Sequence, residues 1–152
     1  MNGFWLFRIN LETNMKQFVI LFAFVLFASC GKKVSQEDLK YLNGYWEITE
    51  VIFPDGEKKS YDINETIDYI EWSDSLGIRK KVKPQLDGTF LVNDEEEKIT
   101  VKEQSGQWVL IYQTRYDRWE EKIVELQENK LVLQNEQHIR YHYKKYEPLN
   151  LP

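Results

Sequence analysis

From Gly44 onward, apolar and polar residues alternate along most of the chain, which is the pattern of β-strands with one buried face. Turn-forming residues separate many of these segments, as at Pro54-Asp55-Gly56, Asp87-Gly88 and Ser105-Gly106. Nine strands are predicted: Tyr45–Phe53, Thr66–Trp72, Ile78–Val82, Thr89–Val92, Lys98–Glu103, Gln107–Arg115, Tyr116–Leu126, Leu131–Gln137 and His138–Tyr146. Short strands at this spacing are typical of a sandwich or a barrel. We predict an all-β fold, a small antiparallel up-and-down β-barrel of eight or nine strands.

A short helix is predicted ahead of the first strand. Ser35 is followed three residues later by Asp38, which is the spacing of a capping box. Leu39 and Leu42 follow at a separation that places both on one side of a helical turn. The barrel is therefore expected to begin with a brief helical segment.

The alternation also predicts which side chains face the barrel interior. This set is Trp46, Ile48, Ile52, Ile99, Val101, Trp108, Leu110, Tyr112, Leu131, Leu133, Ile139, Tyr141 and Tyr143. Three acids, Glu50, Asp68 and Glu121, also fall at inward positions of their strands. A buried carboxylate is costly unless it is paired. These acids therefore indicate either a polar ligand pocket or water-lined mouth, or a bulge or strand end that turns them to solvent.

The first 33 residues have a different pattern. Lys16 precedes eleven apolar residues, Phe18–Ala28, which are followed by Ser29 and by Cys30, the one cysteine of the chain. A membrane-spanning helix takes about 20 apolar residues, whereas this run fits the core of a signal peptide. Phe27-Ala28-Ser29-Cys30 resembles the lipobox of bacterial lipoproteins. That resemblance implies cleavage before Cys30, a diacylglycerol on its sulfur and an acyl chain such as palmitate on its amino group.

Three segments follow from this interpretation: a signal peptide at 1–29, a lipidated cysteine and tether at 30–38, and a β-barrel domain at 39–148. Glu12 is out of place in a basic signal start, so a translation start at Met15 is an open alternative. An ordinary secretory signal followed by a stray cysteine is another. By the sorting habits of lipoproteins, Gly31 differs from the Asp of inner-membrane retention. This implies a lipid-anchored protein of the cell envelope, in the outer membrane and facing the periplasm.

Net charge and the absence of known motifs argue against several classes of function. Residues 30–152 contain 18 basic and 24 acidic residues, and this net charge of −6 argues against nucleic acid as a partner. The basic stretch from Arg79 to Lys83 is interpreted mainly as a solvated strand face. His138 and His142 are four residues apart, which is about 13 Å on a strand and too far to share a metal ion. No nucleophile–base arrangement is recognisable, so we expect neither an enzyme nor a cofactor.

The start of the barrel resembles the lipocalin-like families. Gly44-Tyr45-Trp46 matches the Gly-x-Trp motif that opens their first strand, and Ile123–Leu133 with Tyr141–Tyr143 resembles their closing strands. The resemblance implies that Trp46 plugs one end of the barrel and that Gly44 permits the tight entry. It also implies an arginine of the last strand packed across the indole, for which Arg140 is the candidate. The alternation places Arg140 on the outer face, so this contact requires a bulge.

Two functions remain open from the sequence. In the first, the barrel binds a small apolar or amphipathic ligand, because eight strands enclose room for one such molecule. The candidate ligand-binding residues are Glu50, Trp108, Leu110, Tyr112, Tyr141 and Tyr143. In the second, the barrel is filled and docks an envelope protein through exposed aromatic residues such as Tyr45, Phe53 and Tyr116.

Overall fold

The computed structural model describes residues 33–92 and 95–147, so the predicted signal segment and Cys30 lie outside the described residues. The described part contains one short 3₁₀ helix, Gln36–Leu42, and ten strands. The strands are β1 (Gly44–Ile52), β2 (Lys58–Ser60), β3 (Ile67–Ser73), β4 (Leu76–Pro84), β5 (Phe90–Val92), β6 (Glu97–Gln104), β7 (Gln107–Gln113), β8 (Arg118–Gln127), β9 (Lys130–Asn135) and β10 (Arg140–Lys145).

Eight strands form a closed antiparallel barrel in chain order, β1, β3, β4 and then β6 to β10, with β10 pairing back to β1. The predicted all-β up-and-down barrel with a short N-terminal helix is confirmed. Two further strands lie off this path, since β2 pairs with the end of β1 and β5 with the end of β4. The sequence predicted β5 but missed β2, because Lys58-Lys59-Ser60 has no apolar residue and is wholly exposed.

The barrel has two unlike ends. The closed end is where β1 begins; it carries the 3₁₀ helix and the turns that join β3 to β4, β6 to β7, and β8 to β9. The opposite end, called the mouth, carries the connections from β1 to β3, β4 to β6, β7 to β8, and β9 to β10. Because the strands alternate in direction, every second connection lies at the same end.

Tight hairpins at the closed end follow from local sequence. Asp74-Ser75 and Ser105-Gly106 all have positive φ angles, which is the backbone of a two-residue type I′ turn. Gly77 comes directly after the first of these turns. A Cβ at Gly77 would lie 2.4 Å from the carbonyl oxygen of Glu71 and 3.0 Å from the Cα of Trp72. Glycine is therefore required where β3 and β4 approach each other.

The interior is largely apolar and densely filled. Trp46, Leu110 and Tyr112 have no exposed surface, and Ile99, Val101, Leu131, Leu133 and Tyr143 are buried with them. This confirms the predicted inward face for these eight residues. Leu39 and Leu42 of the 3₁₀ helix belong to the same core, so the helix plugs the closed end. The capping box that was predicted at Ser35 and Asp38 is present.

Two strands depart from simple alternation: β8 has a register shift between Ile123 and Glu125, and β1 has one between Ile48 and Glu50. A bulge in β1 shifts the register so that Ile48 pairs with Tyr143 but Glu50 pairs with His142. The extra residue, Thr49, moves each later residue of β1 to the opposite face of the strand. Val51 therefore points inward opposite Tyr141, whereas Glu50 and Ile52 lie on the outer face. The predicted inward position of Ile52 is wrong for this reason.

Residues 33–152 form one compact unit. Among the described residues, the core comes from between Leu39 and Tyr143, and the ten strands pair with one another. A fragment of residues 33–152 contains all of these ladders and core contacts, so we expect it to fold on its own. Within the described ranges, no helix has the length and apolar character needed to cross a membrane.

Candidate functional site

The closed end is held by Trp46 and a cation that lies over it. The indole Nε1 donates to the carbonyl oxygen of Leu42 at 2.8 Å, which ties the first strand to the plug helix. The Lys145 ammonium lies 4.1 Å from the centre of the indole and donates to the carbonyl oxygens of Tyr41 and Asn43. Such a cation over an aromatic face stabilises by about 0.5–2 kcal/mol.

Arg140 does not make this contact, and the sequence-based assignment of that role is corrected to Lys145. Arg140 is exposed at the mouth end of β10, where it lies opposite Ile52 and Gln134 on the outer face. Five residues of strand, about 16 Å, separate it from the position of Lys145. Only the last residue of β10 reaches the indole from the inner face.

Gly44 makes room for the cation. It has φ +117°, and a Cβ there would lie 3.0 Å from both Cε and Nζ of Lys145. A side chain at this position would strain the backbone and displace the ammonium. The Gly-x-Trp motif and Lys145 therefore form one structural unit at the closed end.

The predicted ligand-binding residues divide into two groups. Five of them lie on the inner face, and their side chains fill the barrel: Trp108, Leu110, Tyr112, Tyr141 and Tyr143. Glu50 does not lie inside, because the β1 bulge turns it outward, where it forms an ion pair with Lys58 at 3.5 Å. Its assignment to an interior pocket is corrected accordingly.

A charged network occupies the inner face near the mouth. Arg79 of β4 is almost buried and forms a hydrogen-bonded ion pair with Glu97 of β6. Its second contact is Glu121 of β8, whose Oε2 lies 3.6 Å from Nη1. The guanidinium also lies 4.1 Å above the centre of the Tyr112 ring. Arg79 therefore joins three strands across the barrel interior.

Asp68 and Lys81 extend the network. The Asp68 carboxylate, which is 3% exposed, pairs with the Lys81 ammonium at 2.7 Å. Lys81 remains half open to solvent, so this pair marks the boundary between the interior and the mouth. Asp68 and Glu121 are thus inward acids, as the polar-pocket alternative required, and neither is turned out by a bulge.

The basic stretch that the sequence analysis interpreted as a solvated face supplies these cations. Because side chains alternate along β4, Arg79 and Lys81 point inward while Lys80 points outward to Glu96 at 3.4 Å. That interpretation was wrong for Arg79, whereas Lys81 lies on the inward face but keeps its ammonium open to solvent. The sequence carried no signal for this, because the pairing of Asp68 with Lys81 across β3 and β4 is visible only in the structure.

Burial changes the ionisation of this cluster. It raises the pKa of Glu121 above its ordinary value, and the adjacent Arg79 opposes that rise. Burial likewise raises the pKa of Tyr112 well above its usual range. The Tyr112 hydroxyl lies beside the Glu121 carboxylate, yet neither Tyr112 Oη nor Glu121 Oε2 has a partner of full hydrogen-bond geometry among the described residues. The network thus retains hydrogen-bonding capacity inside the barrel.

A cavity of about 390 Å³ opens at the mouth against this network. It is lined by Arg79 and Lys81 of β4, by residues 95–97 at the start of β6, and by residues 114–116 between β7 and β8. Its volume lies within the range of about 300–1,000 Å³ that is usual for small-molecule sites. None of the six predicted ligand-binding residues lines it, although Tyr112 lies directly beneath Arg79.

The two histidines lie apart from this site. His138 is exposed in the turn before β10 with φ +61°, and His142 lies on the outer face of β10 opposite Val132. Burial lowers the pKa of His142. Within residues 33–92 and 95–147, no group of three or more His, Cys, Asp or Glu side chains is placed to hold a metal ion.

The comparisons with known proteins agree with this architecture. The family model of the lipocalin-like domain matches residues 42–133, which is more than half of the chain. The chain belongs to the lipocalin-like domain family. The match includes Gly44, Trp46 and all five charged residues of the mouth network, whereas Lys145 lies beyond its end.

Two solved structures resemble this lipocalin-like domain. A lipocalin-like protein from Bacteroides uniformis is 12% identical, with a TM-score of 0.46 over 70% of this chain and 99% of that one. An uncharacterized protein from Bacteroides eggerthii is 14% identical, with a TM-score of 0.45 over 69% of this chain and 99% of that one. No curated protein matches the chain.

Proposed function

We propose that this chain is a lipid-anchored protein of the cell envelope whose lipocalin-like barrel binds a small amphipathic ligand at its mouth. The observation that carries the proposal is the 390 Å³ cavity resting on a buried, three-strand charged network. A lipocalin-like barrel is compatible with such binding. The role is binding rather than catalysis.

The chemistry of the cavity favours an amphipathic ligand over a purely apolar one. Its walls carry three cations, Arg79, Lys81 and Arg115, together with three carboxylates at residues 95–97. A polar headgroup can exchange hydrogen bonds with these side chains, whereas an alkyl chain alone would desolvate them without compensation. The apolar part of the ligand would extend past Tyr116, whose ring is 88% exposed at the rim.

Trp119 gives a direct way to measure this binding. Its ring stacks on Tyr112 at 5.1 Å, and Tyr112 lies beneath Arg79, so Trp119 is close to the cavity. Trp46, Trp72 and Trp108 lie at strand ends on the closed side. We expect a saturable change in fluorescence when residues 33–152 are titrated with a fatty acid, an alkylamine or a monoacylglycerol. Comparing these three headgroups identifies the preferred charge.

Matched variants separate binding at the mouth from adsorption elsewhere. Trp119→Phe should abolish the signal, and Tyr116→Ala should weaken binding without affecting the core. Arg79→Gln should weaken binding at least about tenfold, which corresponds to 1.4 kcal/mol, whereas the exposed Arg140→Gln should not. A flat response to all three ligands, or equal weakening by both arginine variants, would overturn the proposed site.

The lipid anchor and its location rest on the leader sequence that ends in Cys30. We expect the mature protein to begin at Cys30 with a diacylglyceryl group and to fractionate with the outer membrane, facing the periplasm. Cys30→Ser should release the domain into the soluble fraction. A native N-terminus without lipid in mass spectrometry would contradict the anchor, while ligand binding by residues 33–152 would be unaffected.

The second candidate function is a filled barrel that docks an envelope protein. The observation that favours it is the filled interior, in which Trp46, Leu110 and Tyr112 have no exposed surface. Tyr45 is less available for such docking than the sequence suggested, because it stacks on Phe90 at 4.2 Å. Saturable ligand binding reported by Trp119 would favour the first function, and its absence together with a co-purifying protein would favour the second.

A further inference from the structure

The outer faces of β6 and β8 carry a set of cations that is separate from the mouth. The basic face is defined by Lys98, Lys102, Arg118 and Lys122, all of which are exposed. Their sequence neighbours Ile99, Val101 and Glu121 point inward, which places the four cations on the outer side. The mouth network and the basic face therefore lie on opposite sides of the barrel wall.

The strand register gives this face a regular geometry. Lys98, Gln113 and Arg118 form one row across β6, β7 and β8, and Lys102, Val109 and Lys122 form another. Neighbouring strands are about 4.8 Å apart and residues about 3.3 Å apart, so the cations occupy the corners of a rectangle of about 10 by 13 Å. None of the four has a carboxylate within ion-pair distance in the described part of the chain, unlike Lys58, Lys80, Lys81, Lys83, Lys130 and Lys144.

The face also has an apolar floor. A shallow groove of about 610 Å³ runs along it, with Ile111 of β7 between the cations and with Leu76 and Ile78 of β4 beside Lys98 and Lys102. Leu76 is 66% exposed, although it lies beside three basic side chains. Cations above accessible aliphatic groups form an amphipathic surface, which suits a partner that presents both anionic and apolar groups.

Further basic residues lie near both ends of the basic face. At the closed end, a Cβ on Gly106 in the β6–β7 turn would lie 2.9 Å from the Lys33 ammonium. At the mouth end, the β7–β8 connection carries Arg115 and the exposed ring of Tyr116. Lys33 and Arg115 therefore lie beyond the two ends of the basic face, within which Glu120 is the acid between Arg118 and Lys122, in a chain of net charge −5.

We infer that this basic face docks onto an anionic lipid surface and holds the barrel on its side against the membrane. The position of Lys33 favours a membrane over an acidic protein. Only two residues separate Lys33 from Cys30, and the three residue steps reach about 10 Å, so an acyl chain on Cys30 would keep this face close to the lipid. Lysine and arginine near an anionic bilayer are attracted to it, and tyrosine is common at the interface. The choice of a membrane as the partner rests on the proposed lipid anchor. The basic face itself is seen in the structure and does not depend on that anchor.

The test uses residues 33–152, which fold without the anchor, and vesicles of phosphatidylcholine with and without phosphatidylglycerol. We expect co-sedimentation with the anionic vesicles only, with affinity that falls as salt is raised. Each basic residue near the surface contributes about a fivefold change in affinity. Lys98→Glu/Arg118→Glu should therefore weaken binding at least about 25-fold.

Lys59→Glu/Arg140→Glu is the matched control, because it makes the same charge change at two exposed positions on β2 and β10. We expect it to retain binding within about twofold of the unaltered domain. No binding to anionic vesicles would overturn the inference and leave the face to an acidic protein. Equal loss in both double variants would overturn it as well. Neither result bears on the Trp119 titration, which probes the mouth without any membrane.

Discussion

The two ends of this barrel each hold a cation over an aromatic ring at 4.1 Å, yet the two arrangements differ in what satisfies the charge. At the closed end, Lys145 lies over Trp46 and donates to backbone carbonyl oxygens. At the mouth, Arg79 lies over Tyr112 and pairs with the carboxylates of Glu97 and Glu121. One cation completes a plug, whereas the other borders a cavity.

The difference indicates that the closed end stabilises the barrel, whereas the mouth is available for binding. Carbonyl oxygens are fixed by the backbone, so the Lys145 contacts cannot be exchanged for those of a ligand. Burial lowers the pKa of Lys145, because it removes part of the solvation of the ammonium. Carboxylate side chains can move, and a ligand headgroup can replace one of them on Arg79. The cavity occurs at the end where the charge is held by side chains.

The strongest way to test the closed end is Trp46→Ala. This truncation removes a wholly buried indole and its hydrogen bond to Leu42, so we expect a loss of about 3–5 kcal/mol in the free energy of unfolding by urea. Tyr116→Ala at the mouth is the matched aromatic truncation and should change stability by less than about 0.5 kcal/mol. Similar losses in the two variants would contradict the division of the barrel into a plug and a rim.

Arg79→Gln tests the mouth network. It leaves the buried Glu121 and its neighbour Glu97 without their cation, so we expect a loss of about 3 kcal/mol in unfolding free energy. The loss should diminish when Glu121→Gln is added, because the unpaired charge is then removed. A double variant whose loss is the sum of the two single losses would show that Arg79 and Glu121 do not interact.

Lys145→Met tests the cation over Trp46. The variant keeps the aliphatic stem but loses the cation–aromatic contact and two hydrogen bonds to carbonyl oxygens, so we expect a loss of about 2 kcal/mol. Arg140→Met is the control at the other end of β10 and should stay within about 0.5 kcal/mol of the unaltered protein. A larger loss at Arg140 than at Lys145 would restore the sequence-based assignment of the plug cation.

The smallest effect is the pH dependence that comes from Glu121. Its pKa is raised in the folded barrel because burial disfavours its charged form. Its contribution to stability is therefore present below its unfolded pKa and is lost as the pH rises through the folded value. Unfolding measured from about pH 4 to about pH 7 should favour Glu121→Gln increasingly over the unaltered protein. Glu120→Gln, one residue along β8, is the control, and an equal drift there would contradict the role of burial.

Prediction from sequence succeeded where local pattern suffices. The period-two alternation located nine of the ten strands, and the Ser35–Asp38 spacing located the plug helix. It failed at β1, because one inserted residue at Thr49 reverses the face of Glu50 and Ile52 without changing the composition of the segment. A bulge is set by its partner strand, and strand partners are not visible in a single segment.

The candidate site shows the same limit. The sequence pointed to inward acids at Asp68 and Glu121, and both proved to be inside. It could not point to Arg79 or Lys145, because a cation in a charged segment has no distinctive spacing. Their roles depend on which carboxylate, carbonyl or ring faces them across strands that are far apart in the chain.

The sequence by itself determined the alternating strands, the tight turns, the plug residues and the family of the domain, because each depends on residues within a few positions of one another. Tertiary structure alone decided which end is filled, which cation lies over Trp46 and where the cavity opens. These outcomes require strands to close into a barrel in one register, and a one-residue shift moves a charge from the interior to the surface.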